Sequence, residues 1–120
     1  MPEAKFIHLS EVVDASSPAH AGRQAVVSEF ATDESGNPTG GVSRGEGFSI
    51  LWQNGILQPN GAIFEDIIAA CIDRLTFFQS SKFSCRENAL AITKLQETIH
   101  WLNHRTIDRR RRGVEGTYEV

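Results

Sequence analysis

Hydrophobic positions follow two different periods along the chain, and the change falls near Asn60. Before it, short apolar or β-branched runs alternate with turn residues. Phe6-Ile7-His8-Leu9, Val12-Val13 and the stretch from Arg23 to Ala31 read as strands. Phe48-Ser49-Ile50-Leu51-Trp52 is the clearest of them, because it runs into Asn54-Gly55, a strong turn dipeptide. Between the runs, Asp33 to Gly47 holds Gly36, Gly40, Gly41, Gly45 and Gly47 together with Pro38. That composition predicts a long loop, mobile or shaped around something. The first half is therefore expected to form a small, mainly antiparallel sheet.

After Asn60 the period becomes helical. Phe64, Ile67, Ile68, Cys71, Leu75 and Phe78 recur at spacings of three and four, with Asn60 as a candidate N-cap and Glu65 and Asp66 in an early turn. Ile63 and Ile72 widen the apolar surface, which predicts burial on more than one side. Ser80-Ser81-Lys82-Phe83 reads as a turn, and Ser84 with Glu87 as a capping box opening a second helix. Ala89, Ile92, Leu95, Ile99 and Leu102 form its stripe, and Gly113 is placed to end it. A helix from Ser84 to Arg112 is roughly 43 Å long, so its far end should project or pack against another chain. The fold class predicted is α+β, a small N-terminal antiparallel sheet followed by a long two-helix hairpin. The expected organisation is one domain over residues 1–120: a β-rich region 1–59, a hairpin 60–112 and a tail 113–120.

Composition narrows the function classes. The chain has 120 residues, 40% hydrophobic and 22% charged, which suits one soluble globular domain with a sizeable core. No apolar run reaches membrane-spanning length, and Met1-Pro2-Glu3-Ala4-Lys5 lacks the pattern of a secretion signal, so the chain is expected to stay where it is made. Cys71 and Cys85 make no disulfide framework and are expected to be buried free thiols. Net charge is −3, but residues 1–60 sum to −4 and residues 61–120 to +1, with Arg109 to Arg112 consecutive. A dedicated duplex binder usually shows a large positive surface, so this balance fits a local anion site better.

Candidate chemistry gathers in the second helix and its turn. On a helical wheel Glu87, Lys94, Trp101, Arg105 and Arg112 run beside the core stripe, with Arg109 bordering it. Arginine offers a fork for phosphate oxygens and tryptophan a stacking face, although an amphipathic helix with a solvated charged side explains the same pattern. The segment Lys82-Phe83-Ser84-Cys85-Arg86-Glu87-Asn88 puts an aromatic beside two bases at a helix N-terminus, whose N–H groups suit phosphate. Asn88 is placed to read a base or ribose edge. A structural role, with Phe83 closing the hairpin core, stands equally open. Gly40 to Gly47, which includes Arg44, could cradle an anion, but it lacks the P-loop ending and the dinucleotide fingerprint. Glu97, His100 and His104 share a helix side without the His-Glu-x-x-His order, and no activated nucleophile is recognisable. Neither a metal nor a cofactor is expected.

Four runs carry a resemblance: Asn60-Gly61-Ala62-Ile63-Phe64-Glu65-Asp66, Lys82-Phe83-Ser84-Cys85-Arg86-Glu87-Asn88-Ala89-Leu90, His100-Trp101-Leu102 and Arg112-Gly113-Val114-Glu115-Gly116-Thr117. Together they resemble the helical-hairpin domain shared by the bacteriophage anti-Thoeris and anti-CBASS nucleotide sponges. The strand-rich first half looks more like the anti-Thoeris group.

The resemblance implies a stoichiometric binder rather than an enzyme, working in the cytoplasm of an infected bacterium. Its ligand would be a cyclic ADP-ribose isomer, held in pockets at a homodimer interface, with dimers in some members closing into a trimer of dimers. Some members also hold cyclic di- or trinucleotides at separate sites. Phe83 would then match the adenine-stacking aromatic and Asn88 a base or ribose contact, with Lys82 and Arg86 beside them. Arg44, Arg105 and Arg109 would face pyrophosphate, with Trp101 and Arg112 in the same basic row and Thr117 in a segment closing over the pocket. Two alternatives remain: an oligomeric structural or regulatory hairpin touching nucleic acid weakly, and a hydrolase of the same signal. Neither a membrane nor nucleic acid is the expected main partner.

Overall fold

A computed structural model describes residues 22–55 and 58–120, together with the backbone of residues 3–8. Its order is β1 (Glu3–His8), β2 (Val27–Thr32), β3 (Pro38–Gly45), β4 (Phe48–Trp52), α1 (Phe64–Gln79) and α2 (Arg86–Arg112). The α+β class expected from the two hydrophobic periods is what the chain adopts. Two compact units divide it, Met1–Ala62 and Ile63–Val120. The expected strand at Val12-Val13 lies outside the described residues.

The first unit is a four-stranded antiparallel meander in the order β1-β2-β3-β4. Its register pairs Phe30 with Gly41, Ser28 with Ser43, Ser43 with Ile50 and Gly41 with Trp52. One face therefore carries Ser28, Phe30, Gly41, Ser43, Ile50 and Trp52. At its centre Ser28 and Ser43 are buried, at 1% and 6% exposure. Their hydroxyls lie 2.7 Å apart, and Trp52 Nε1 donates to Ser43 Oγ at 2.8 Å. Satisfying these groups mutually removes the desolvation cost of burying polar atoms.

The predicted loop from Asp33 to Gly47 is mostly strand β3, and this corrects the sequence reading. At Gly41 and Gly45 neighbours come too close for a side chain, whereas Gly40 has ordinary room for one. A Cβ on Gly41 would fall 2.6 Å from the Glu29 carbonyl oxygen and 2.9 Å from Phe30 Cδ1, and one on Gly45 would enter the Phe48 ring. Gly41 and Gly45 are thus each covered by an aromatic from the adjacent strand, Phe30 and Phe48, which returns the apolar contact that a missing side chain forfeits.

Two turns close the meander on either side of β3. Gly47, at φ +83°, supplies the left-handed residue between β3 and β4. Between β2 and β3, Asp33 Oδ1 accepts the N–H groups of Ser35 and Asn37, and Asn37 Nδ2 donates to Asp33 Oδ2 at 3.2 Å. The Asn37 N–H above all holds the Asp33 carboxyl below its ordinary value of 3.8; partial burial opposes this, while the Asn37 side chain and the Ser35 N–H add to it. A carboxyl with a lowered folded pKa contributes its stabilisation fully above the unfolded value and loses it as pH falls through the folded one. Thermal unfolding of the parent and of Asp33→Ala should therefore differ at neutral pH, and the gap should narrow as pH falls below about 4. A gap independent of pH would rule this out.

After β4 the chain makes a loop closed by side-chain amides. Gln53 Nε2 donates to the carbonyls of Gly55 and Gln58, while its Oε1 accepts the N–H groups of Asn60 and Gly61. Asn60 bonds both backbone groups of Asn54, at 2.8 and 2.9 Å. Ala62 then pairs with Trp52 as a parallel bridge on the β4 edge. Asn60 is consequently not the N-cap it was expected to be. Its side chain is engaged with Asn54, Ala62 stays bridged to the sheet, and the helix starts only after Ile63, which makes no side-chain cap.

In the second unit α1 and α2 pack against each other. The half-buried residues form one seam, with Ile68, Ile72 and Leu75 on α1 and Ile92, Leu95, Ile99 and Leu102 on α2. Neither helix has a fully buried residue, and Ile63, Phe64, Phe77, Leu90, Trp101 and Ile107 are exposed. Cys71 and Cys85 are free as expected but exposed rather than buried, because neither points into the seam. The capping box is also not formed. Cys85 is the N-cap and Arg86 the first helical residue, so Ser84 lies outside the helix and Glu87 falls at its second position rather than its third. Gly113, at φ +74°, ends α2 as expected, with its own N–H bonded to Arg110 O and that of Val114 to Arg109 O. No helix among the described residues is long and apolar enough to cross a membrane.

Candidate functional site

The predicted site residues fall into three places. Lys82, Phe83, Arg86 and Asn88 gather at the turn between the helices. Trp101, Arg105, Arg109, Arg112 and Thr117 lie along the second half of α2 and in the tail after it. Arg44 is in β3, in the other unit.

At the turn, Phe83 is 62% exposed, so it does not close the hairpin core. Lys82 Nζ stands 5.3 Å from its ring centroid. The ring and the ammonium thus stand together beside the start of α2, where first-turn N–H groups have no intrahelical acceptor and the helix dipole favours an anion. Arg86 is exposed in that first turn, and Asn88, two residues further, is half-buried. An aromatic face, two cations and a carboxamide within one turn can stack on a base, neutralise phosphate and hydrogen-bond a ribose or base edge.

The other end of α2 is built differently. Arg109 donates to three carbonyl oxygens of the tail: Val114 at 2.9 Å, Thr117 at 3.0 Å and Glu119 at 2.8 Å. Arg112 bonds Asp108 at 3.0 Å and Val120 O at 2.8 Å, and Arg110 pairs with Glu115 at 2.7 Å. Thr117 Oγ1 closes the tail turn on Val114 O. The consecutive arginines therefore act first as a clamp that folds the tail back on the helix. Their placement at the helix C-terminus also suits the dipole. Trp101 is 72% exposed, edge-on to His104 at 5.8 Å, and Arg105 is exposed one turn along.

Within one hairpin these two ends do not meet. Asn88 and Arg109 are 21 residues apart on a continuous helix, which is about 32 Å, beyond the combined reach of their side chains. Arg44 lies 4.0 Å from Glu29 across the strand pair, a half-exposed ion pair of small energetic weight. The anion cradle considered for Gly40 to Gly47 is not formed, because Gly41 to Gly45 are paired in the sheet ladder. Among the described residues no three His, Cys, Asp or Glu side chains come together as metal ligands.

Sequence reasoning missed the residues that hold these groups in place. Gln79 bonds both backbone groups of Cys85, and Gln53 and Asn60 cinch the loop before α1. Most of their partners are five to eight residues away, so no local rule exposes them.

A four-stranded meander followed by a long antiparallel helix pair, with polar and aromatic groups at both ends of the second helix, defines an α+β helical-hairpin protein. Residues 47–106, half of the chain, match the Acb2/Tad1 hairpin domain, and the chain belongs to that family. A 60-residue stretch is 62% identical to Thoeris anti-defense 1 of Bacillus phage SBSphiJ7, covering 50% of this chain and 42% of that protein. This chain thus matches about two fifths of the relative's length. The family match takes in the turn motif from Lys82 to Leu90 and stops before Arg109, Arg112 and Thr117. The phage anti-Thoeris family expected from the hairpin motifs is the one found.

Proposed function

We propose that the chain is a phage anti-defence protein that captures a cyclic ADP-ribose-type signal and holds it without cleavage, in the cytoplasm of the infected bacterium. The observation that carries this reading is the hairpin turn, where exposed Phe83 stands under Lys82 and beside Arg86, Asn88 and a helix N-terminus. Such a ligand offers a stackable adenine, two riboses and a pyrophosphate, matched by an aromatic, a carboxamide and cations. Capture requires affinity but no general base.

The site is completed by a second copy. If the turn and the Arg105, Arg109 and Thr117 end act on one ligand, a helix of this length would need them to come from different chains. The exposed Ile63, Phe64, Phe77, Leu90 and Ile107 provide apolar surface for such pairing, as a homodimer or a trimer of dimers. Duplex or RNA binding through the arginine run is disfavoured, since the chain's net charge of −3 gives no large positive surface to follow a phosphate backbone.

Calorimetric titration with cyclic ADP-ribose isomers and cyclic di- and trinucleotides tests the reading, with mass spectrometry of the ligand recovered after denaturation. The expected result is saturable binding of a cyclic ADP-ribose isomer and its recovery intact. Turnover at catalytic protein concentration, lost on changing His100, His104 or Glu97, would make the chain a hydrolase instead.

A further inference from the structure

Gln79, the last residue of α1, makes a reciprocal pair of hydrogen bonds with the backbone of Cys85, the N-cap of α2. Its Nε2 donates to Cys85 O and its Oε1 accepts the Cys85 N–H, both at 2.9 Å. The pair closes a ring around residues 80–84, and further polar bonds brace the interior. Ser81 Oγ donates to Phe78 O at 2.6 Å and accepts the Phe83 N–H at 3.1 Å, while the Ser84 N–H reaches Ser81 O at 3.2 Å. Phe83 itself is mostly in solvent, so packing does little to fix it. The turn is held by this frame of side-chain and backbone hydrogen bonds, and Gln79 is the member that ties the two helices together.

We propose that Gln79 is a positioning residue for ligand capture, which touches no ligand and acts by presetting Phe83 and the first turn of α2. The inference rests on the proposed function of the same turn. Presetting matters because a binder that must first order its contact residues loses that entropy from its affinity. The chemistry required is narrow. Only a neutral group with one donor and one acceptor at this reach can satisfy both Cys85 atoms. Leucine satisfies neither, and an ionised glutamate repels the carbonyl that the amide satisfies. A protonated glutamate regains both bonds.

The test uses the full chain with Gln79→Leu and Gln79→Glu beside the parent. Binding is measured by calorimetry with whichever cyclic ADP-ribose isomer the parent takes, at pH 7.5 and pH 4.5, alongside amide hydrogen exchange in the turn. Gln79→Leu should bind about tenfold more weakly at both pH values, with faster exchange at Phe83 and Cys85 and unchanged helicity. Gln79→Glu should be equally weak at pH 7.5 and recover toward the parent at pH 4.5. The uncharged leucine variant separates loss of the frame from simple repulsion of an anionic ligand. Parent-like affinity and exchange in Gln79→Leu would overturn the proposal, as would a glutamate variant equally weak at both pH values. If leucine unfolds the hairpin, the pH response of Gln79→Glu decides alone. If the parent binds no isomer, the proposed function fails while the exchange measurements still decide whether Gln79 orders the turn.

Discussion

Phe83→Ala should weaken capture of the cyclic nucleotide by about ten- to a hundredfold while leaving the hairpin folded. Base stacking on an aromatic contributes about 1–3 kcal/mol per base when read by alanine substitution. Tenfold in affinity corresponds to about 1.4 kcal/mol. The fold should tolerate the change because Phe83 is 62% exposed and lies outside the seam of Ile68, Ile72, Leu75, Ile92 and Leu95. Phe83→Trp should keep most of the affinity, since it restores a stacking face, whereas Phe83→Leu should not. Calorimetry gives the affinities and thermal unfolding shows that stability is preserved. Undiminished binding by Phe83→Ala would remove the turn from the site.

Gly41→Ala should destabilise the sheet unit by about 2–3 kcal/mol, the cost of overpacking where the structure cannot relax cheaply. The new Cβ would sit 2.6 Å from the Glu29 carbonyl oxygen, and that oxygen belongs to the backbone of β2. Relief therefore requires moving a strand. Gly45→Ala makes the instructive contrast, because its Cβ meets only the ring of Phe48, which is 41% exposed and able to swing aside. Loss of that aromatic cover is offset by the smaller entropy cost of ordering alanine, so the change should stay within about 0.5 kcal/mol. Denaturant unfolding in a Trp101→Phe background isolates the emission of Trp52, whose Nε1 is bonded to Ser43 in β3. Equal losses at the two positions would contradict the argument.

The helices were legible because the spacing of Ile92, Leu95, Ile99 and Leu102 depends only on helical geometry, and Gly113 announces its own left-handed conformation. Their starts were not legible. Asn60 and Ser84 look like caps locally, yet Gln53 and Gln79 draw the neighbouring backbone into other hydrogen bonds and shift each helix onset. Strand β3 was hidden for a related reason. Gly41 and Gly45 signal a loop when read alone and make sense only against Phe30 and Phe48 on adjacent strands. For the candidate site, Lys82, Phe83, Arg86 and Asn88 could be grouped from adjacency in sequence. The tail carbonyls that occupy Arg109 could not, since backbone acceptors leave no trace in residue identity.

The length of α2 has a further consequence. On the proposed reading, a helix that keeps Asn88 and Arg109 about 32 Å apart makes every subunit half of two sites rather than the owner of one. Two-fold symmetry then delivers sites in pairs, each built from one chain's turn and the other chain's tail. A subunit damaged at Phe83 and a partner damaged at Arg109 would concentrate both lesions in a single site and leave the second site whole. Two inactive proteins, mixed, would in that way make one active half.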